Sequence, residues 1–270
     1  MKKWTFEIAL LALLCMSASA TAQSHMGPRH PPKDEPGNAD PTLSLDPRHT
    51  QCAAGDQDAC FSIEFRNCAA ANPNVAVTAC TRQLTEAENR RQGSDIRYER
   101  AIRYLLRGNA HLKLGNTENA LADYDRAIIA DQTVYWIHAQ RGDANFLAGN
   151  FDEALVSYNA ALAWVEDNAS VLNNRALIYA AAPNDGLRNP AQALSDAQRA
   201  NMLLPGQPAY IDVLGVAHAA NGDFETAANE AERAIGLLPP GNDSVLADFR
   251  GRLDLYRSST AFRITPPPGA

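Results

Sequence analysis

Residues 107–127 read RGNAHLKLGNTENALADYDRA, and residues 141–161 read RGDANFLAGNFDEALVSYNAA. At an offset of 34, Gly108 falls on Gly142, Gly115 on Gly149, Ala120 on Ala154, Tyr124 on Tyr158 and Ala127 on Ala161. Each copy reads as two helices. The first stops at Gly115 or Gly149, where a left-handed residue beyond the last turn suits glycine. The second opens on an Asn followed by acids, as in NFDEA, which suits a helix N-terminus. A helix pair this small cannot bury its own apolar face, so copies must stack.

Two further copies continue the array. From 208, Gly215, Gly222, Ala227, Ala234 and Pro239 recur in order. Between 169 and 207, Ala176, Tyr179, Ala193, Ala200 and Pro205 fit once PNDGLRNP (183–190) carries about five extra residues at the turn between the two helices. After the array, Val245, Leu246, Phe249, Leu253 and Tyr256 share one helical face, with Arg250, Arg252 and Asp254 read as lying off it, the pattern of a capping helix. No stretch alternates as a half-buried strand would.

The period of 34, the small residues at places 8, 20 and 27, the aromatic at place 24 and the Pro near place 32 resemble the tetratricopeptide repeat. The resemblance implies an all-α, right-handed α-solenoid of about four helical hairpins over 96–241, capped by 242–262. It also implies a concave groove lined by the first helix of each repeat. Here that maps to Ile102, Leu105, Asn109 and Leu112, then Trp136, Ala139, Asp143 and Phe146, then Asn173, Asn174 and Leu177, then Asp212 and Val216. Trp136 and Phe146 are the expected anchors for a peptide or partner protein. The chain departs from the family at place 7, where Arg107, Arg141 and Arg175 replace the usual Leu, and at place 24, where Ala197 and Ala231 replace the aromatic. The smaller residues at place 24 imply slighter packing in the last two copies. The arginines are expected to lay their stems between helices and to pair with a neighbouring repeat.

The N-terminal part differs in kind. MKKWTFE precedes the short apolar run IALLALLC and the small-residue sites Ala18-Ser19-Ala20 and Ala20-Thr21-Ala22. That is the pattern of a signal peptide over 1–22, cut after Ala20 or Ala22. Its apolar run is shorter than the roughly 17–25 residues of a membrane-spanning helix. Cys15 follows Leu14, where bacterial lipoprotein signals carry a small residue. A periplasmic or secreted protein without a membrane span is the expectation. Residues 23–50, rich in Pro, Gly and charge, and the tail 263–270, ending in TPPPGA, are expected to be disordered.

Four cysteines remain after export: Cys52, Cys60, Cys68 and Cys80, all within the module 51–95. An even count in an oxidising compartment reads as two disulfides, with three connectivities open. A four-thiolate zinc site wants closer pairs than the spacings of 8, 8 and 12 found here. NVAVTACTRQL (74–84) resembles the second helix of a repeat, with Ala76 at the place of Ala120 and Cys80 at that of Tyr124. Residues 57–71 would be its degenerate first helix, bringing Cys68 near Cys80. CAAGDQDACF (52–61) resembles the bridged Cys-x7-Cys of cysteine-rich Sel1-like repeats. These resemblances imply Cys52–Cys60 and Cys68–Cys80.

The formal charge of −7 becomes −8 when Lys2, Lys3 and Glu7 leave with the signal. An acidic chain argues against non-specific nucleic-acid binding. No phosphate loop, H-E-x-x-H, G-x-S-x-G or C-x-x-C occurs. His111 and His218 stand where an aromatic packs in the repeat. Neither catalysis nor a cofactor nor a metal is expected. The sequence reads as an exported protein–protein interaction adaptor. The alternatives are a self-associating scaffold, that is, a homo-oligomer, and a hydrolase of the Sel1-like type that no constellation of residues supports.

Overall fold

The computed structural model describes residues 67–88 and 94–266; the expectations for the signal peptide, the tether 23–50 and the pair Cys52–Cys60 lie outside them. The described residues form no strand. Their helices are α1 (Pro73–Glu88), α2 (Ser94–Lys113), α3 (Thr117–Ala130), α4 (Trp136–Ala148), α5 (Phe151–Trp164), α6 (Ala169–Ala181), α7 (Pro190–Leu203), α8 (Pro208–Ala220), α9 (Phe224–Gly236) and α10 (Asp243–Arg257). The helix pairs follow the 34-residue frame, and α10 is the expected cap. The chain divides into two compact units, with the boundary between Ala144 and Asn145.

In the first unit α1 packs on α2, and α2 on α3. A disulfide joins Cys68 to Cys80, and both cysteines are buried in a small cluster with Ala79 against Leu106. The main core gathers Ala101, Leu105, Ala120, Tyr124, Ala127, Val134, Ile137 and Ala144. The small place-8 residue has a direct cause here. A Cβ built on Gly108 would stand 2.7 Å from the Tyr124 ring and 3.2 Å from the Ala120 carbonyl oxygen.

In the second unit α6 packs on α5, α7 and α8; α8 also meets α7, α9 and α10, and α9 meets α10. Ala197 and Ala231, which replace the place-24 aromatic, are both fully buried. Ala231 shares its cluster with Tyr256 and Leu253 of α10, so the cap supplies the aromatic that the last repeat lacks.

The turns are built from backbone. After α2, α4 and α8 the glycines Gly115, Gly149 and Gly222 have φ of 77°, 82° and 84°. The next N–H in each case donates back to the carbonyl five residues earlier: Asn116 to His111, Asn150 to Asn145, Asp223 to His218. This left-handed turn closes the open carbonyls of the helix end. Asn116 and Asn150 stand at the N-caps of α3 and α5, as the sequence suggests, but neither makes a side-chain cap bond. Asn168, Asn189 and Asp223 do.

The expected insertion is present. The connection between α6 and α7 has eight residues, 182–189, against three at 114–116 and 221–223. It holds a single 3-10 turn, Asp185–Leu187. The Asn189 N–H donates to Tyr179 O, and Arg188 donates to Ala182 O, so the loop satisfies carbonyls at the end of α6. The boundary drawn at 263 for a disordered tail is also corrected. Ile264 is buried, and its N–H donates to Ala181 O at 2.8 Å. Two apolar residues in alternation, Phe262 and Ile264, anchor what composition alone marks as a tail.

Candidate functional site

The groove positions fall into two groups. On α2 and α4 in the first unit, Ile102, Asn109, Leu112, Trp136 and Ala139 are half-buried, and Leu105 and Asp143 are buried. Ile102, Leu112 and Trp136 all pack against the core beneath them. Tyr135 meets the Trp136 ring edge-on at 5.3 Å between centroids. The Tyr124 hydroxyl donates to Asn109 Oδ1 at 2.7 Å, which orients the Asn109 amide. Burial, with the carboxylates of Asp143 and Asp123, pushes the Tyr124 pKa up, so this phenol stays a neutral donor. The result is a part-exposed, mainly apolar face with one fixed amide.

The positions from 145 onward differ. Phe146 is buried edge-to-face on Phe151, with centroids 5.6 Å apart, so its ring is a core element and not a surface anchor. Asn173, Asn174, Leu177 and Val216 are buried. Asp212 is 1% exposed and accepts from Arg252 Nε at 2.8 Å. These residues present almost no surface to a partner. Sequence reading also placed Arg252 off the apolar face of α10. It lies three residues from Phe249 and four from Tyr256, which puts it on their face, and it is buried there. Burial raises the Asp212 pKa and Arg252 opposes the shift; for Arg252, burial acts downward and Asp212 outweighs it.

The arginine ladder is structural. Arg107 reaches both carboxylate oxygens of Asp123 at 2.7 Å and donates to Thr81 Oγ1 at 3.1 Å. Arg175 repeats the pattern with Asp196, at 2.7 and 2.9 Å, and with Asn159 Oδ1 at 2.7 Å. Arg141 meets Asp125 at 2.7 Å. Thr81, Asp125 and Asn159 occupy one place in the repeat frame, 44 and then 34 residues apart, the first interval crossing the α1–α2 connection. Each arginine therefore joins a hairpin to the helix before it. His111 and His218 are both half-buried; His218 Nδ1 lies 3.3 Å from Asp223. Among the described residues no group of three or more His, Cys, Asp or Glu is placed to hold a metal ion, and no helix is long and apolar enough to cross a membrane.

Family comparison agrees with the repeat frame. Residues 98–133 match the tetratricopeptide repeat, and residues 142–182 match a TPR repeat. The chain carries tetratricopeptide repeats on an all-α fold of the solenoid class. Among solved structures it is similar to MamA 41-end from Desulfovibrio magneticus RS-1, at 19% identity and a TM-score of 0.54, over 66% of this chain and 92% of that one. A second structure, titled as MamA, matches at 16% identity and a TM-score of 0.50, over 76% of this chain and 98% of that one. At these identities the likeness is one of fold. A search of curated protein sequences gave no significant match.

Proposed function

We propose that this chain is an exported adaptor that binds a peptide or partner protein on the face made by α2 and α4. The observation that carries the reading is the half-buried apolar set Ile102, Leu112, Trp136 and Ala139 on α2 and α4, together with the oriented amide of Asn109 on α2. A partner gains by covering such a surface, and the amide supplies a hydrogen bond to its backbone. Export is part of the proposal: it accounts for the charged and apolar start of the sequence and for the four clustered cysteines. The intact mass of the protein recovered from outside the cytoplasm checks cleavage after Ala20 or Ala22.

The test is a crosslinking pull-down from the exporting cell, comparing the natural chain with Ala139→Asp and Trp136→Ala. Loss of one discrete partner, with the helical circular dichroism and the urea midpoint retained, supports the face as the site. An unchanged catch removes it. A second reading has its own observation. Ile129, Trp164 and Met202, near the C-terminal ends of α3, α5 and α7, are 79%, 58% and 71% exposed. Large apolar chains this exposed favour self-association. A mass that rises with concentration in sedimentation supports the scaffold reading; a constant monomer mass counts against it.

A further inference from the structure

The last described residues behave as a ligand would. The chain leaves α10 through Ser259, whose φ of 56° is left-handed without being glycine. The Thr260 N–H returns to Leu255 O at 2.9 Å, which closes the helix end. From Thr260 to Pro266 no helix forms, and burial alternates over Phe262, Arg263, Ile264 and Thr265. Phe262 turns inward onto the cluster of Ala219, Ala227, Ala231, Leu253 and Tyr256. Arg263 is exposed, and Ile264 is buried. The Ile264 N–H pairs with the Ala181 carbonyl, one of those left open in the last turn of α6. The Arg252 guanidinium lies 5.2 Å from the ring centroid of Phe262 and 5.2 Å from that of Phe249. It is held there by Asp212.

Backbone pairing combined with pockets for alternate side chains is how proteins read extended peptides. The built half of this arrangement belongs to α6, α8, α9 and α10; the other half is a terminal segment that a cut or a competitor can remove. Buried beside it, Asp212 Oδ2, Arg252 Nη2 and the Tyr256 hydroxyl have no hydrogen-bond partner among the described residues. The segment thus meets the apolar demands of the place and leaves polar ones unmet.

We propose that the ends of α6, α8 and α10 form a binding site for an extended aromatic-x-aliphatic peptide, held in cis by Phe262-Arg263-Ile264, and that a partner segment of the same chemistry binds by displacing it. The site uses none of the residues of the α2 and α4 face, so the two readings stand or fall separately.

The probe is a labelled peptide of residues 260–270, TAFRITPPPGA, titrated into the full chain and into a chain ending at Ser259. The shortened chain is expected to bind it. The full chain is expected to bind at least about tenfold more weakly, because its own tail competes at high effective concentration. A peptide with Phe262→Ala, or with Ile264→Pro to remove the N–H, is expected to lose binding. Should the shortened chain not fold, a protease site placed between Ser259 and Thr260 lets the whole chain fold before it is cut. The cut tail is then expected to stay bound through gel filtration and to exchange with excess peptide. A folded shortened chain that ignores the peptide, a cut tail that simply separates, or a Phe262→Ala peptide that binds as well as the natural one would overturn the proposal.

Discussion

Gly108 shows how one residue sets the distance between two helices. The Tyr124 ring and the Ala120 carbonyl occupy the space that any side chain would need, and both are fully buried. Gly108→Ala is therefore expected to lower stability by about 1–3 kcal/mol, as overpacking does, seen as an earlier urea midpoint. His111 and His138 act on the same unit through protons. Burial lowers the pKa of His111 from its ordinary 6.5; Asp123 acts upward and Arg107 downward. Burial, then Arg141, lowers that of His138. A lowered folded pKa means that the unfolded chain takes the proton first as pH falls. Stability is full above the ordinary value and declines as pH drops through it toward the folded pKa. The urea midpoint should fall between about pH 7.5 and about pH 5.5, and a His111→Gln/His138→Gln chain should show a flatter profile. Arg252 shows where residue-level reading fails. Its charge suggested solvent, yet its helical spacing from Phe249 and Tyr256 pointed inward. The partner that makes its burial tolerable, Asp212, lies 40 residues away, and no local pattern reveals it.

At the scale of elements, the stitches between helices are unequal. The Arg175–Asp196 pair is two-pronged and largely enclosed, with side chains 16% and 4% exposed. Asp196→Asn leaves the guanidinium without its countercharge and is expected to cost about 3 kcal/mol. The Arg257–Glu232 pair lies in solvent at both ends, and Glu232→Gln should change stability by less than about 1 kcal/mol. Urea melts of the two variants check the contrast. The Cys68–Cys80 bridge fastens α1 to the short segment before it. Cys68→Ala is expected to remove about 2–4 kcal/mol, read as a lowered midpoint in chains that still purify folded. Elements were largely legible in the sequence because glycines and small residues at a fixed period report helix ends and helix contacts directly. The eight-residue connection was legible for the same reason, as a break in that period. Two things were not. Asn116 and Asn150 sit where a side-chain cap belongs, but the backbone turn at the preceding glycine already fixes the chain there. The tail from 263 carries too few apolar residues to form an element, and Ile264, within its described part 263–266, is held by a helix end that lies elsewhere in the sequence.

For the molecule as a whole, the candidate site was legible in part. Ile102, Asn109 and Leu112 on α2 and Trp136 and Ala139 on α4 carry surface, while Asn173, Asn174 and Leu177 on α6 and Asp212 and Val216 on α8 are buried, although the repeat frame expects all of them in one groove. Periodicity gives the face of a helix; it does not say what covers that face. The loop 182–189 draws out a practical consequence. Long surface connections are ordinarily where a foreign domain or a fluorescent reporter is spliced with least harm. This one is a poor choice: it borders the carbonyls that Arg188, Asn189 and Ile264 occupy, and opening it would disturb the end of α6 and the terminal segment together. The short turn 114–116, exposed and closed by Gly115, is the better splice point. A reporter placed there should leave the melting behaviour of the chain intact, and the same insertion after Asp185 should not.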